Sequence, residues 1–231
     1  MKFSIIVAAY NVAEYLEECV ESLVNQNFPN SEYEVLIVDD GSKDNTKDVV
    51  SSFVKEGKIN IHYVQQENGG KHRAINNGVG LATGELFFIL DSDDILPNNA
   101  LELVVKTYQP IKHEMSFAGV SGIDGNFDGR IIGSGLPDDS IDCNSVDIRY
   151  KFHVIGDMKE VFRTSVMKEF PFPDIEGEKF CPEALVWNRI AKKYKLRYFN
   201  KEIYLNKGYK INIKKLIRWE VYKNERCNAK K

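Results

Sequence analysis

Three short polar clusters hold most of the side chains in this 231-residue chain that could do chemistry. Asp91-Ser92-Asp93-Asp94 follows Glu85–Leu90, an apolar run that reads as a buried strand. Carboxylates delivered together to a strand exit repel one another, and in an extended segment Asp91 and Asp93 share a side. A divalent cation is the natural neutraliser. Hard oxygen ligands favour Mg²⁺ or Mn²⁺, with Mg²⁺ keeping water and substrate phosphates in its other positions. The competing reading is a helix cap, with Asp93 or Asp94 opening a helix entered at Pro97. Asp39-Asp40-Gly41-Ser42 is a second acidic strand end. Its carboxylates could accept from a base N–H or a ribose hydroxyl, or simply form a turn in which Ser42 or Asp44 caps the next helix. Asn68-Gly69-Gly70-Lys71-His72-Arg73 joins a flexible turn to a helix start rich in cations. Those cations oppose the helix dipole, so an anion such as phosphate is the expected partner, against a solvated first turn. Its spacing is not that of a P-loop.

These clusters need elements to place them. Ser4–Ala9, Glu34–Val38, Ile59–Val64 and Glu85–Leu90 read as strands, the first, second and fourth as continuous apolar runs. Between them lie helical patterns: Val12 to Val24 after a capping Asn11, a helix begun by Asp44-Asn45-Thr46, and Lys71–Ala82. This βαβαβαβα order predicts an α/β fold with a mainly parallel sheet covered on both faces. Ligands bind such sheets outside the strand C-termini, where both acidic clusters fall. The second half is less regular. Short strands are expected at Ser116–Val120 and Arg130–Ile132, a polar loop over Ser134–Val146, a helix over Ala184–Lys195 and a basic helix over Lys210–Asn224.

Composition narrows the class. Hydrophobic residues at 43% and charged residues at 28% indicate a globular chain. The longest apolar runs, Ile5–Ala9 and Leu86–Leu90, fall far short of the ~20 residues that span a bilayer. The opening residues read as a strand and not a secretory leader, so a cytoplasmic chain is expected. Its four cysteines are scattered and carry no zinc spacing, which predicts reduced thiols. The net charge of −3 conceals fourteen Lys/Arg against three Glu from Lys192 onward. That basic end could meet anionic lipid headgroups, giving peripheral contact with a membrane, or form a solvated helix and loop.

Taken in order, Tyr10-Asn11, Asp39-Asp40-Gly41-Ser42, Asn68-Gly69-Gly70-Lys71 and Asp91-Ser92-Asp93-Asp94 resemble the family 2 glycosyltransferases of the GT-A fold. The likeness is close over Lys2–Leu101 and looser to about Tyr204. It implies a Rossmann-like catalytic domain over 1–205, with a nucleotide-sugar half at 1–101, an acceptor-side half at 102–205 and a basic extension at 206–231. It further implies an inverting transferase using a UDP-sugar, with Mg²⁺ or Mn²⁺ as cofactor and no nucleic acid partner. By this resemblance Tyr10 lies by the nucleobase, Asp39 and Asp40 hold base or ribose, and Lys71 and Arg73 face the nucleotide. Asp91 then contacts the ribose and Asp93 ligates the metal.

The family also places an acidic base on the N-terminal side of a helix bearing an Arg. Here Glu183, six residues before Arg189, matches that spacing, with Pro182 where the family has its first acid and Glu178 as the fallback. The plainer reading of Glu183 is a first-turn acid stabilised by the helix dipole. His153 and Asp157 lie where acceptor or donor contacts are expected, against a structural role for a lone His. Lys215-Leu216-Ile217-Arg218-Trp219 keeps the Arg-Trp of the processive synthases but has Lys for Gln, so transfer of a single sugar to a glycan or lipid-linked acceptor is expected. Two other classes stay open: a non-catalytic nucleotide-sugar or glycan-binding module, and a nucleotidyltransferase, which would need a Gly-rich loop after the first strand.

Overall fold

The computed structural model describes residues 1–207. Its first half follows the expected alternation: β1 (Phe3–Ala9), α1 (Ala13–Val24), β2 (Tyr33–Asp39), α2 (Thr46–Glu56), β3 (Asn60–Gln65), α3 (Lys71–Leu81), β4 (Leu86–Asp91) and α4 (Ala100–Tyr108). The second half supplies β5 (Phe117–Asn126), β6 (Ser140–Cys143), α5 (Asp147–Tyr150), β7 (Met158–Arg163), α6 (Thr164–Glu169), α7 (Glu183–Ile190) and β8 (Lys195–Asn206). All eight strands form one sheet in the order β3-β2-β1-β4-β7-β5-β8-β6. Strands β3, β2, β1 and β4 run parallel, whereas β7 enters antiparallel between β4 and β5.

Burial explains the layering. Every residue of β2 is buried, as is nearly every residue of β1, because helices cover both faces. Leu16, Val20 and Leu23 of α1, Phe53 of α2 and Leu101 and Val104 of α4 pack on one face. Ala74, Ile75 and Val79 of α3, Val166 and Met167 of α6, and Val186 and Ile190 of α7 pack on the other. The strand order reverses at β1, where Ala9 pairs with Asp39 and Ala8 with Asp91. The two acidic strand ends therefore flank a single strand, about 10 Å apart at two strand spacings.

Several expectations need correction. Asn11 does not cap α1. It sits at a left-handed φ of 53°, and its Oδ1 accepts from the Lys43 N–H. The start of α1 is instead served by Asp44, which accepts from the Ala13 N–H. Arg130–Ile132 is no strand, because only Ile131 bridges to Gly125. The expected loop over Ser134–Val146 contains the edge strand β6. The helix expected over Ala184–Lys195 ends at Ile190, and Lys195 already belongs to β8. Cys19, Cys143 and Cys181 are free thiols. Among the described residues no helix is long and apolar enough to cross a membrane. The basic helix expected at Lys210–Asn224, the Lys215–Trp219 segment and Cys227 lie outside the described residues.

Candidate active site

An open pocket of about 310 Å³ lies over the C-terminal ends of β1, β2 and β4. Ala8 and Ala9 leave room in it, and Tyr10, Asp40, Lys71, Asp91 and Asp93 line it. Tyr10 is 47% exposed, an aromatic face free to stack on a flat ligand. The chain after β4 turns sharply, with the Asp94 N–H donating to the Asp91 carbonyl. Asp93 is left exposed at the pocket wall.

The acids of this turn have separate tasks. Asp94 is buried and does not cap α4: its carboxylate accepts from the Tyr204 hydroxyl at 2.9 Å and the Lys207 N–H at 3.1 Å. Burial pushes its pKa up against those hydrogen bonds. The same Tyr204 hydroxyl accepts from the Asp91 N–H at 3.0 Å, so a residue of β8 pins both ends of the turn. Asp91 is half-buried between two lysines. Lys71 Nζ stands 2.5 Å from its Oδ1 and Lys159 Nζ 3.9 Å from its Oδ2. Burial would raise the Asp91 pKa, but the two ammonium groups outweigh it and hold the carboxyl below its ordinary value.

Asp39 and Asp40 turn inward. Asp39 accepts from the Ser42 N–H and the Tyr63 hydroxyl, which fixes the turn after β2. Asp40, only 3% exposed, accepts from Gln66, Asn68, Gly69 and Gly70 at 2.7–3.1 Å. Those four donors fill the acceptor sites of a carboxylate. The anion expected at the start of α3 is thus supplied by the chain itself, and Asp40 shapes the pocket by ordering the Asn68–Gly70 turn. Gly70 is required there. Its φ is 98°, and a Cβ would meet the Lys179 carbonyl oxygen at 2.1 Å.

Lys179 belongs to the segment that leads into α7, and two cations of α3 fasten this segment to the pocket. Arg73 does not line the pocket. Its Nε donates to Asp174 at 2.6 Å, and its guanidinium reaches the carbonyls of Gly69, Glu178 and Ile175. Lys71 does line it, and its ammonium lies 2.8 Å from Glu183 Oε1 as well as 2.5 Å from Asp91. Desolvation would lower the Lys71 pKa, but the two carboxylates reverse that and raise it. Glu183, the first residue of α7, is thereby brought beside the pocket-lining Lys71, next to Asp91. Glu178 has its carbonyl tied to Arg73. His153 and Asp157 are both exposed, outside the pocket.

A metal would find few protein ligands here. Among the described residues no three His, Cys, Asp or Glu side chains converge as a metal cage. Asp91 is held by lysines and Asp94 by Tyr204, which leaves Asp93 as the exposed carboxylate. One hard-oxygen ligand beside an open pocket fits Mg²⁺ or Mn²⁺ that arrives with phosphate oxygens and keeps water. Sequence reading missed Lys159 and Tyr204. Lys159 sits 3.8 Å from the Tyr204 ring centroid and 4.0 Å from the buried Asp124, and no motif marked either residue.

Residues 4–168 match the model of glycosyl transferase family 2. The chain is 28% identical over 213 residues to the glycosyltransferase GlyG of Streptococcus pneumoniae, covering 87% of this chain and 69% of that protein. It is 30% identical over 220 residues to the GalNAc(5)-diNAcBac-PP-undecaprenol beta-1,3-glucosyltransferase of Campylobacter jejuni, covering 91% of this chain and 64% of that enzyme. Residues 1–349 of TarS from Staphylococcus aureus, crystallised with UDP, superpose with a TM-score of 0.73 at 24% identity, over 90% of this chain and 60% of that one. The mannosyltransferase PcManGT from Pyrobaculum calidifontis, solved with GDP-Man and Mn²⁺, gives a TM-score of 0.64 at 20% identity, over 91% and 58%. The chain therefore spans about two thirds of these proteins or less, and Glu183 lies beyond the residues that the family model matches. A doubly wound sheet with its pocket at the switch strand, an acidic turn after β4 and a family match over most of its length together establish that this chain belongs to glycosyl transferase family 2 and has the GT-A fold.

Proposed function

We propose that this chain moves one sugar from a UDP-sugar to a hydroxyl of a glycan or lipid-linked acceptor, with inversion, in the assembly of a cell-surface polysaccharide. The observation that carries this reading is the Lys71 bridge. One ammonium touches both the acid that ends β4 and the acid that starts α7. A donor seated over β1 and β4 then has its sugar end near the Glu183 carboxylate that Lys71 holds, a group a mere binding module would not need. The Campylobacter relative is named for a lipid-linked acceptor and TarS for poly(ribitol-phosphate), which supports the acceptor class.

In this mechanism Tyr10 stacks on the base, and Asp40 keeps the Asn68–Gly70 turn clear of it. Lys71 gives its charge to the donor's phosphates once they arrive. Asp93 would hold Mg²⁺ or Mn²⁺ together with those phosphates, and the ion supplies Lewis-acid compensation for the leaving diphosphate. Glu183 takes the proton of the acceptor hydroxyl as its oxygen bonds to the anomeric carbon. The bond from that carbon to the diphosphate breaks on the opposite face, so the proton ends on Glu183 and the electron pair on UDP. The nucleotidyltransferase alternative lacks support, because Tyr10-Asn11 follows β1 where a Gly-rich loop would be needed.

The test is Glu183→Gln. Loss of a general base lowers kcat by about 10²–10⁴-fold, while binding of UDP with Mn²⁺, measured by calorimetry, stays as in the wild type. Undiminished turnover in E183Q removes Glu183 from the reaction.

A further inference from the structure

Strands β7, β5 and β8 carry a row of polar side chains on the sheet face that α7 covers. Ser121 pairs with Glu160 on one side and with Tyr198 on the other, so the three share a face. Ser121 is 0% and Tyr198 1% exposed, and neither hydroxyl has a hydrogen-bond partner. Buried hydroxyls left open in this way ask for an explanation. Strand β7, which carries Glu160 at the end of the row, is tied to α7 by packing. Phe162, two residues along the same face of β7, stacks on Trp187 with ring centroids 4.6 Å apart. Trp187 is one helical turn from Glu183. Two strand residues and one helical turn both measure about 6–7 Å, so this contact sets Glu160 against Glu183.

We propose that Glu160 is a positioning residue for the reaction: a second carboxyl set behind Glu183 that lets the pair hold one negative charge, confined to the member that reaches the pocket. The inference rests on Glu183 being the base. Independent support comes from the surroundings of Glu160. Glu160 is half-buried, and its desolvation, followed by the Glu183 carboxylate, pushes its pKa up to about 7. The other charged or titratable groups facing it are Arg149 of α5 and Tyr198 of β8, with Lys159 beside it in β7. Arg149 spends Nη1 on the carbonyls of Val154 and Gly156, and Lys159 lies over Tyr204. Neutral Glu160 leaves Glu183 in place beside Lys71. Ionised Glu160 sets a like charge against it in a space lined by two hydroxyls. Glu160 keeps its own proton through the cycle, since the acceptor's proton goes to Glu183.

The experiment compares the wild type with Glu160→Gln, which keeps the shape and cannot ionise. UDP release is followed from UDP-glucose and UDP-N-acetylglucosamine with Mn²⁺. Wild-type kcat should fall about tenfold between about pH 6 and pH 8, as a single ionisation near 7 requires. E160Q should match the wild type at the lower pH, hold its rate at the higher one and leave donor KM unchanged. Parallel profiles, or a flat wild-type profile, overturn the proposal. A second readout needs neither turnover nor E160Q. The infrared band of the protonated carboxyl near pH 7 should titrate at lower pH in E183Q, where the like charge is gone. An unmoved band overturns the coupling even when E183Q is inactive, whereas an active E183Q sinks the base assignment instead.

Discussion

Arg73 separates two readings of the same residue. If it faced the nucleotide, its loss would weaken donor binding. In the structure it fastens the segment before α7, so its loss should release Glu183. Arg73→Met keeps the apolar stem and removes every hydrogen bond of the head. Two of these, to the carbonyls of Ile175 at 2.9 Å and Glu178 at 3.0 Å, cross from α3 to the segment. Each is a bond from a charged donor, worth about 1.5 kcal/mol at the lower end of its range. The Asp174 carboxylate is 70% exposed, so its ion pair adds only about 0.5 kcal/mol. The segment thus loses roughly 3.5 kcal/mol of attachment, at about 1.4 kcal/mol per factor of ten. Lys179 still donates to Asn68 at 2.6 Å, which limits the damage. The expected outcome is a kcat about 10- to 100-fold lower with donor KM within about threefold of wild type, since the loss falls on a group acting after donor binding. Steady-state kinetics over a donor range, with calorimetry of UDP and Mn²⁺, check both numbers. A tenfold rise in donor KM at unchanged kcat would refute the reasoning and return Arg73 to the nucleotide.

Two further outcomes follow from the acidic turn and its neighbours. Tyr204→Phe removes the hydroxyl shared by Asp91 and Asp94 and leaves the ring under Lys159. It should cost about 1–3 kcal/mol in urea unfolding, because buried Asp94 loses a donor, and an unchanged midpoint would deny the turn its clamp. Asp124 has its pKa raised to about 7, by burial first and against the pull of Lys159. Its unfolded value is about 3.9, so the folded state binds the proton more tightly. Stability should decline as pH rises from about 4 to about 7, by on the order of 4 kcal/mol in all. Asp124→Asn should flatten that decline, and melting temperatures measured across this range report it.

Much of the site could be read from sequence because it stands on consecutive elements. Strands β1, β2 and β4 are apolar runs long enough to recognise, and each delivers its polar cluster at the C-terminal end. The alternating order then leaves few ways to arrange them. What could not be read came from two sources. Strand β7 reads Met-Lys-Glu-Val-Phe-Arg, half charged, so no hydrophobic period announces it. It also enters antiparallel, away from its neighbours in the chain, and brings Lys159 and Glu160 with it. Strand β8 alternates so weakly at its start that Lys195 reads as the end of the preceding helix, and Tyr204 was lost with it.

The second source concerns direction. Residue type predicted a base or ribose against Asp40 and a nucleotide against Lys71 and Arg73, whereas the partners the structure shows for all three belong to the chain. Asp40 fills its acceptor sites with the turn before α3, and Arg73 fills its donors with the segment before α7. Each spends its charge on holding a loop, so the pocket has its shape before any ligand enters. Lys71 is different: its partners, Asp91 and Glu183, are themselves residues of the proposed site. A donor's phosphates can therefore compete for it without unfolding any loop. Of the cations at the start of α3, Lys71 is the one whose partner can change during turnover. The halves of the chain meet at its ammonium group, and a reaction that needs both halves has to pass it.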